Sequence, residues 1–499
     1  MSERDLQPPR STRRELLQAA AVVAAGAALG CDPGAVMPGD GGARPDGAPG
    51  DGGSGGPEDG GPMASDGGVD AGPTDAGPPP IEPPEGTPEA VLATFPLGIA
   101  SGDATAERAI FWTRYDGTRA LRLVVWEMDG TAYVRTVHDA PVSPGEGGFV
   151  HVDVAGLSAG AWHRYAFFEL EAGERAARSP VGRMRAAVAA DALVPLRIGA
   201  CSCTDNDRVA DTLSRAGARE DLDVFLYLGD TTYNDGARSV GDYRGKWAES
   251  LSRAGYRAVR SATSALATWD DHEFDNDWNP ESFDAAQKAA AVQTFFEHQP
   301  LRRDPASPDR VWKSMRWGRT AEIFVLDCRS ERRPSTRSSA SAEYLSRAQM
   351  DWLKAALLAS DAVFKILVNS VPIADFPGAF DLAQNDRWEG YPAARREILE
   401  HIDGNAIGGV LWVAGDFHLA SAQRVSTSGP GSTQVEVLAG PGAQNGNLLA
   451  RFLGGDQFDF ATTTNNYTAI ELDPETGRAR IWWIDADAST LETLEYDLG

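Results

Sequence analysis

Residues 224–233 read VFLYLGDTTY. This stretch predicts a buried strand of apolar and aromatic residues that ends in a Gly-Asp pair and is followed by a polar loop. Other apolar runs predict strands at 196–200, 323–326, 364–368 and 409–414, and apolar residues at three- and four-residue intervals predict helices at 285–296 and 347–358. The alternation of strands and helices indicates an α/β fold, in which functional side chains lie in loops after strand ends.

Side chains that bind metal ions follow four apolar segments. They are Cys201 and Cys203 after 196–200, Asp230 and Tyr233 after 225–228, Asp271 and His272 after 267–269, and Asp416 and His418 after 410–414. Two of the seven histidines of the chain are among them, each close to an aspartate. Because thiolate, phenolate, imidazole and carboxylate groups are all metal ligands, four such clusters in succession favour a metal centre over unrelated caps and turns.

These clusters resemble the motifs of the calcineurin-like metallophosphoesterases, and within them the PhoD-like alkaline phosphatases and phosphodiesterases. Gly229-Asp230-Thr231-Thr232-Tyr233 is similar to the Gly-Asp motif of purple acid phosphatases, Trp269-Asp270-Asp271-His272-Glu273 to the PhoD form of the Asn-His-Glu motif, and Gly415-Asp416-Phe417-His418 to the closing Gly-(His/Asp)-x-His motif. Further matches lie at 101–103, 112–114, 326–329 and 388–392. The resemblance implies a metallophosphoesterase sandwich, with mixed sheets flanked by helices, at 195–499.

The resemblance also implies a centre that holds ferric iron and calcium. The implied ligands are Cys201, Asp230, Tyr233, Asp271, Asp416 and His418. Asp230 is the implied bridge between the two cations, because one carboxylate has two oxygens. Cys203 stands two residues after Cys201, so the thiolate ligand stays open between the two cysteines. We favour Cys201 because it follows the strand directly and takes the place of the first aspartate of other metallophosphoesterases.

Four further residues are candidates for the site. His272 is implied to donate a proton to a phosphate oxygen or to the leaving group. Arg244 has the planar guanidinium that clamps phosphate, and a surface ion pair is its alternative role. Asn276 and Asn369 are additional candidate ligands, with hydrogen-bonded loop capping as the alternative for each.

The segment before residue 195 predicts a second, all-β domain. Short β-branched and aromatic runs lie at 109–113, 121–126 and 164–168, with Gly, Pro and Asp between them. Closely spaced strands without helical periodicity predict a small β-sandwich at 92–188. The turn at 156–160 and the aromatic residues after it resemble the turn-and-tyrosine region of fibronectin III/Ig-like modules.

Residues 1–31 have the pattern of an export signal. The pair Arg13-Arg14 precedes an apolar run at 19–29 that is too short to span a bilayer. This pattern resembles a twin-arginine signal, which implies the matching export machinery as a partner. The run ends in Ala-Leu-Gly-Cys, which is similar to a lipoprotein cleavage box, so Cys31 is the candidate lipidation site. Residues 32–91, rich in Gly, Pro and Asp, predict a disordered linker.

The charge of the chain excludes one class of partner. The chain has 72 acidic and 46 basic residues, a net charge of −26. An acidic chain repels phosphate backbones and anionic headgroups, so we expect no nucleic-acid binding, and membrane contact only through the lipid anchor. Its four cysteines are too few for a disulfide scaffold in 499 residues.

Together these features predict an exported, periplasmic or cell-envelope hydrolase that cleaves phosphomonoesters or phosphodiesters with a metal-activated water. One alternative keeps the site and changes the substrate to phospholipids, as in a phospholipase D-type activity of the same family. Another alternative is a non-catalytic surface binding protein with a decayed enzyme domain. The full set of metal-binding side chains disfavours that second alternative.

Overall fold

A nine-stranded mixed sheet carries the first three metal-binding clusters. The structure is a computed structural model that describes residues 84–378, 380 and 386–499. The strands of this sheet are β1 (Ile99–Gly102), β2 (Arg108–Arg114), β5 (Phe149–Ala155), β9 (Leu196–Cys201), β10 (Val224–Tyr227), β11 (Ser264–Ala267), β19 (Asn466–Asp473), β20 (Arg478–Asp485) and β21 (Thr490–Asp497). Their order across the sheet is β21-β20-β19-β9-β10-β11-β1-β2-β5.

A second mixed sheet carries the fourth cluster. Its strands are β12 (Lys313–Trp317), β13 (Ala321–Val325), β14 (Phe364–Val368), β15 (Val410–Ala414), β16 (Ala420–Arg424), β17 (Val435–Leu438) and β18 (Phe458–Thr462). Their order is β12-β13-β14-β15-β17-β16-β18. The inner faces of the two sheets meet in one core that includes Ile198, Leu226, Ile323, Ile366 and Leu411. Full burial of each such side chain contributes about 1.5–3 kcal/mol to stability.

Six helices of the described residues complete the layers. They are α1 (Asp211–Gly217), α2 (Val240–Leu251), α3 (Ala254–Ala262), α4 (Ala285–His298), α5 (Arg347–Ala359) and α6 (Pro392–Gly404). Side chains of α1 to α4 pack on the outer face of the nine-stranded sheet, and those of α5 and α6 pack on the outer face of the second sheet. The predicted α/β alternation is confirmed, and the helices expected at 285–296 and 347–358 are α4 and α5.

The N-terminal strands are divided between two sheets. The strands β3 (Ala120–Asp129), β4 (Ala132–Val142), β6 (Trp162–Glu171) and β7 (Glu174–Arg178) form a smaller sheet, and β8 (Gly182–Arg185) pairs with β6. This sheet packs against β1, β2 and β5 through a separate apolar core. Since β1 also pairs with β11, with Ser101 opposite Ser264, the nine-stranded sheet runs on from 92–188 into 195–499 without a break. The two-domain division stays a prediction.

The register of the parallel strands places the metal-binding loops at one edge. The strands β9, β10 and β11 run parallel, with Tyr227 opposite both Cys201 and Ala267. In the second sheet β13, β14 and β15 also run parallel. Because the carboxyl ends of parallel strands meet at the same edge of a sheet, loops that are far apart in sequence converge there.

Several N-terminal predictions lie outside the described residues. These are the signal at 1–31, with Arg13, Arg14 and the lipidation site Cys31, and most of the predicted linker. The end of that linker is attached to the fold, because Glu89 forms a β-bridge with Arg178 and its carboxylate lies 3.1 Å from the Arg178 guanidinium. Among the described helices, none combines the length and apolar character required to cross a bilayer.

Candidate metal centre

The first group of ligand atoms combines sulfur, oxygen and nitrogen. Atoms of Cys203, Asp230 and His418 lie within 4.8 Å of one another. The Tyr233 hydroxyl lies 3.4 Å from Asp230 Oδ2 and 3.4 Å from His418 Nε2. These residues come from the loops after β9, β10 and β15. A thiol, a phenol, an imidazole and a carboxylate together form a donor set for a transition metal.

The second group consists of oxygen donors only. Carboxylate oxygens of Asp270, Asp271 and Asp416 lie within 4.8 Å of one another, and Asp230, Asp271 and His272 form a further group that links the first two. Three carboxylates form a donor set for a hard cation such as calcium. Side chains from the loops after β9 and β10 thus meet side chains from the loops after β11 and β15 at one site.

The backbone at these ligands takes conformations that side chains rarely adopt. The φ angles of Cys203, Asp230, Asp416 and His418 are 54°, 52°, 69° and 51°. Such left-handed conformations cost free energy and are concentrated at functional sites, where the surrounding fold maintains them. Gly229 has φ 96°, and a Cβ at this position would lie 2.4 Å from Asp270 Cβ. A glycine before Asp230 is therefore required for the loop after β10 to approach the loop after β11.

Buried carboxylate oxygens without partners indicate that cations fit this site. The carboxylate oxygens that accept no hydrogen bond among the described residues include Asp230 Oδ1, Asp270 Oδ2 and Asp271 Oδ1. Burial, together with the charge of neighbouring carboxylates, raises the pKa of Asp230 well above its ordinary value, and burial has the same effect on Asp270. Buried anions without compensation are unfavourable, and cations between these oxygens would remove that cost.

Arg329 supplies positive charge within the described chain. Its side chain is 1% exposed, its Nη2 lies 3.5 Å from Asp271 Oδ1 and 3.3 Å from Asp416 Oδ1, and its Nε donates to Asp270 Oδ1. Burial acts to raise the pKa of Asp271, but the Arg329 guanidinium and other donors hold it below its ordinary value. Sequence reasoning did not select Arg329 for the site, although it belongs to the matched segment 326–329.

A histidine–aspartate pair adjoins the ligand groups. Nδ1 of His272 lies 2.9 Å from both carboxylate oxygens of Asp235, and the ring lies 4.0 Å from that of Tyr233. Burial acts to lower the pKa of His272, but Asp271, Asp230 and Asp235 together raise it well above its ordinary value. Asp235 therefore fixes the orientation of the His272 ring beside the ligand groups. Sequence reasoning did not identify Asp235, whose only signal is its position five residues after Asp230.

His418 and Cys203 respond differently to the same burial. Burial lowers the pKa of His418, which favours the neutral imidazole that binds metal ions. Burial and the Asp230 charge raise the pKa of the Cys203 thiol well above its ordinary value. A thiolate at Cys203 therefore requires a bound cation, which deprotonates a coordinating thiol.

Comparison with known proteins shows the family of the chain. The sequence profile of the PhoD-like phosphatase family matches residues 198–466, and that of the PhoD-like phosphatase N-terminal domain matches residues 82–188. The chain belongs to the PhoD-like phosphatase family. The family resemblance inferred from the motifs is thus confirmed.

Individual relatives show the same relationship. Alkaline phosphatase D of Bacillus subtilis (strain 168) is 28% identical over 386 residues, which cover 66% of this chain and 65% of that protein. The match therefore spans less than two thirds of the relative's length. A solved structure of PhoD has a TM-score of 0.71 at 21% identity, and covers 83% of this chain and 92% of that one. The purple acid phosphatase PPD1 from yellow lupin (Lupinus luteus) seeds has a TM-score of 0.58 at 12% identity. Its match covers 80% of this chain and 73% of that one. Both likenesses concern the fold.

The structure of this PhoD-like chain corrects the preferred thiolate. The Cys201 sulfur lies 3.6 Å from the Ser202 carbonyl oxygen and 3.9 Å from that of Asn466, and it packs in the core under the helices. Cys201 is still part of β9, and its side chain therefore follows the strand alternation to the helix-covered face. The chain turns after Cys201, and Cys203 reaches the ligand group instead.

The structure also corrects the proposed role of Arg244. Its guanidinium donates to both carboxylate oxygens of Glu297 at 2.7 Å and to Glu146 at 3.1 Å. None of these partners belongs to the ligand groups, so Arg244 has the alternative role of an ion pair.

The two asparagines form hydrogen bonds with residues outside the ligand groups of the PhoD-like centre. The exposed Asn276 amide donates to Asp277 Oδ2 at 3.1 Å. The Asn369 carbonyl oxygen accepts from Cys328 Sγ at 2.7 Å and from Trp388 Nε1 at 3.2 Å. Both side chains thus have the loop-stabilising role that we gave as the alternative.

Proposed function

We propose that this PhoD-like protein is a metal-dependent hydrolase of phosphate esters that uses a metal-activated water. The observation that carries the proposal is the pair of ligand groups, one with sulfur and nitrogen and one with oxygen only, which are linked through Asp230, Asp271 and His272. Two cations at such a site lower the pKa of water and neutralise charge on phosphoryl oxygens. The described site supplies the donors for both.

The residues of the chain have separate roles in this proposal. Asp230 belongs to two ligand groups, so its two oxygens would hold both cations at a set spacing. His272 holds a proton that it donates to the leaving-group oxygen, and Asp235 keeps the ring in the orientation for that transfer. Arg329 balances the charge of the carboxylates that a substrate phosphate would otherwise meet.

We assign iron to the first group and calcium to the second. Cys203 and Tyr233 favour a transition metal, since a thiolate is an unusual ligand for calcium or magnesium. Asp270, Asp271 and Asp416 offer only oxygen atoms, which suit calcium. The protein purified from its native export route is expected to contain both metals and to absorb visible light. It is also expected to release nitrophenol from p-nitrophenyl phosphate or bis(p-nitrophenyl) phosphate, and a chelator should stop that release.

A matched pair of cysteine variants tests the assignment of the first group. Cys203→Ser is expected to lose iron and to shift or remove the visible band, whereas Cys201→Ser should keep both, because its sulfur faces the core. A colourless, active enzyme that contains only zinc or magnesium would contradict the iron assignment. If the protein with full metal occupancy hydrolysed no phosphate ester, the proposed hydrolase activity would be contradicted. If it released choline from phosphatidylcholine but no nitrophenol, the phospholipase alternative would be favoured.

We also propose that the protein is exported and tethered to the cell envelope by a lipid on Cys31. Support comes from the twin arginine and the Ala-Leu-Gly-Cys sequence. Replacing both Arg13 and Arg14 with lysine is expected to retain the protein in the cytoplasm, and Cys31→Ser to release the exported protein in soluble form. Cell fractionation measures both effects. Soluble wild-type protein in the periplasm would contradict the anchor alone, and export of the double-lysine variant would contradict the twin-arginine signal.

A further inference from the structure

Arg387 lies beside the closing motif of the metal centre. Its guanidinium carbon is 4.1 Å from the centroid of the Phe417 ring, and Phe417 stands between the ligands Asp416 and His418. Arg387 therefore lies next to the loop that carries both of these residues.

Arg387 differs from three other buried or partly buried arginines in its partners among the described residues. Arg329 contacts three ligand carboxylates, Arg332 lies 2.5 Å from Asp386 Oδ1, and Arg244 is held by Glu297. Within residues 84–378, 380 and 386–499, no carboxylate forms an ion pair with Arg387. Its Nη1 donates to the Phe380 carbonyl oxygen, and its other N–H groups have no acceptor among the residues that the structure describes. The side chain is half-buried rather than sealed in the core.

The surroundings of Arg387 hold it in one orientation. The Phe417 ring stacks on Phe380 with centroids 5.7 Å apart, and Phe376 packs against its edge at 4.6 Å. The next residue, Trp388, is fully buried and donates to Asn369. A guanidinium stacked on a fixed aromatic ring loses little conformational freedom when it binds an anion.

We propose that Arg387 binds the phosphoryl group of the substrate through its remaining N–H groups. The inference rests on the proposed function, since a phosphate seated on the cations would lie next to Asp416. A planar guanidinium matches two phosphate oxygens at once, which a lysine cannot do. Arg387 would thus take the phosphate-clamping role that sequence reasoning gave to Arg244.

Inorganic phosphate is the probe, used with the full-length, metal-loaded protein. Arg387→Gln is expected to raise the Kd for phosphate, measured by calorimetry, about tenfold to a hundredfold, as for loss of hydrogen bonds to a charged group. The KM for p-nitrophenyl phosphate should rise in parallel. Both constants of Arg387→Lys should lie between those of the wild type and those of Arg387→Gln. Arg347→Gln is the matched control, because Arg347 is exposed on α5 and pairs with Asp351 and Glu397.

Three results would overturn the proposal. One is an unchanged Kd for phosphate in Arg387→Gln at equal metal content. A second is a lower Tm with an unchanged Kd, which would assign Arg387 a structural role only. The third is an equal loss of phosphate affinity in Arg347→Gln. If the wild-type protein binds phosphate but hydrolyses no ester, the proposed function fails, while the calorimetric comparison still decides the role of Arg387.

Discussion

Asp230→Asn is expected to lower kcat/KM for phosphate esters by at least about 10³-fold, which corresponds to roughly 4 kcal/mol of transition-state stabilisation. Asparagine has the same shape, but it is neutral and offers one oxygen instead of two, so it cannot serve both ligand groups. The local fold should persist, because the Glu273 carboxylate accepts the backbone N–H groups of Asp230 and Thr231 at 2.9 and 2.7 Å. Those bonds do not involve the Asp230 side chain.

The stability of the same variant separates a metal-ligand role from a structural one. Since Asp230 is buried beside other carboxylates, removal of its charge should leave the chelator-treated protein as stable as the wild type, or more stable. Metal addition should then raise the Tm of the variant less than that of the wild type. Asp361→Asn is the control, because Asp361 is exposed and pairs with Arg316. Near wild-type turnover by Asp230→Asn with both metals present would contradict the assignment of the centre.

Arg329→Met is expected to lower the free energy of unfolding of the chelator-treated protein by about 3–5 kcal/mol, the cost of leaving buried charges without their partner. Arg329 is buried against Asp270, Asp271 and Asp416, and methionine fills a similar space without any charge. The free energy of unfolding of the metal-loaded protein should fall less, because bound cations neutralise part of the carboxylate charge. Denaturant unfolding with and without metals measures the difference.

Arg329→Lys serves as the second variant in that experiment. Lysine keeps the charge but not the planar group that spans three carboxylates, so its loss of stability should be smaller than that of Arg329→Met. If Arg329→Met lowered the free energy of unfolding equally in metal-loaded and chelator-treated protein, Arg329 would support packing rather than charge balance.

The order of strands and helices could be predicted from the sequence because it depends on local patterns. The run at 224–228 is continuous and apolar since both faces of β10 are buried. The run at 196–200 is interrupted only by Arg197, the one exposed residue of β9. Ligand candidates such as Asp230 and His418 were recognisable for the same reason, since each stands directly after such a run. These signals lie within a few residues of one another in the chain.

The sequence by itself thus determined the family, the α/β pattern and the strand exits that carry the metal-binding side chains. The tertiary structure decided which of those side chains meet. Cys203 rather than Cys201 reaches the centre because the chain turns after β9. Arg387 rather than Arg244 lies beside the centre because the loop after β14 packs on Phe417. The pairing of β1 with β11 joins segments more than 150 residues apart. Such contacts depend on the packing of distant segments, and no local sequence pattern records that packing.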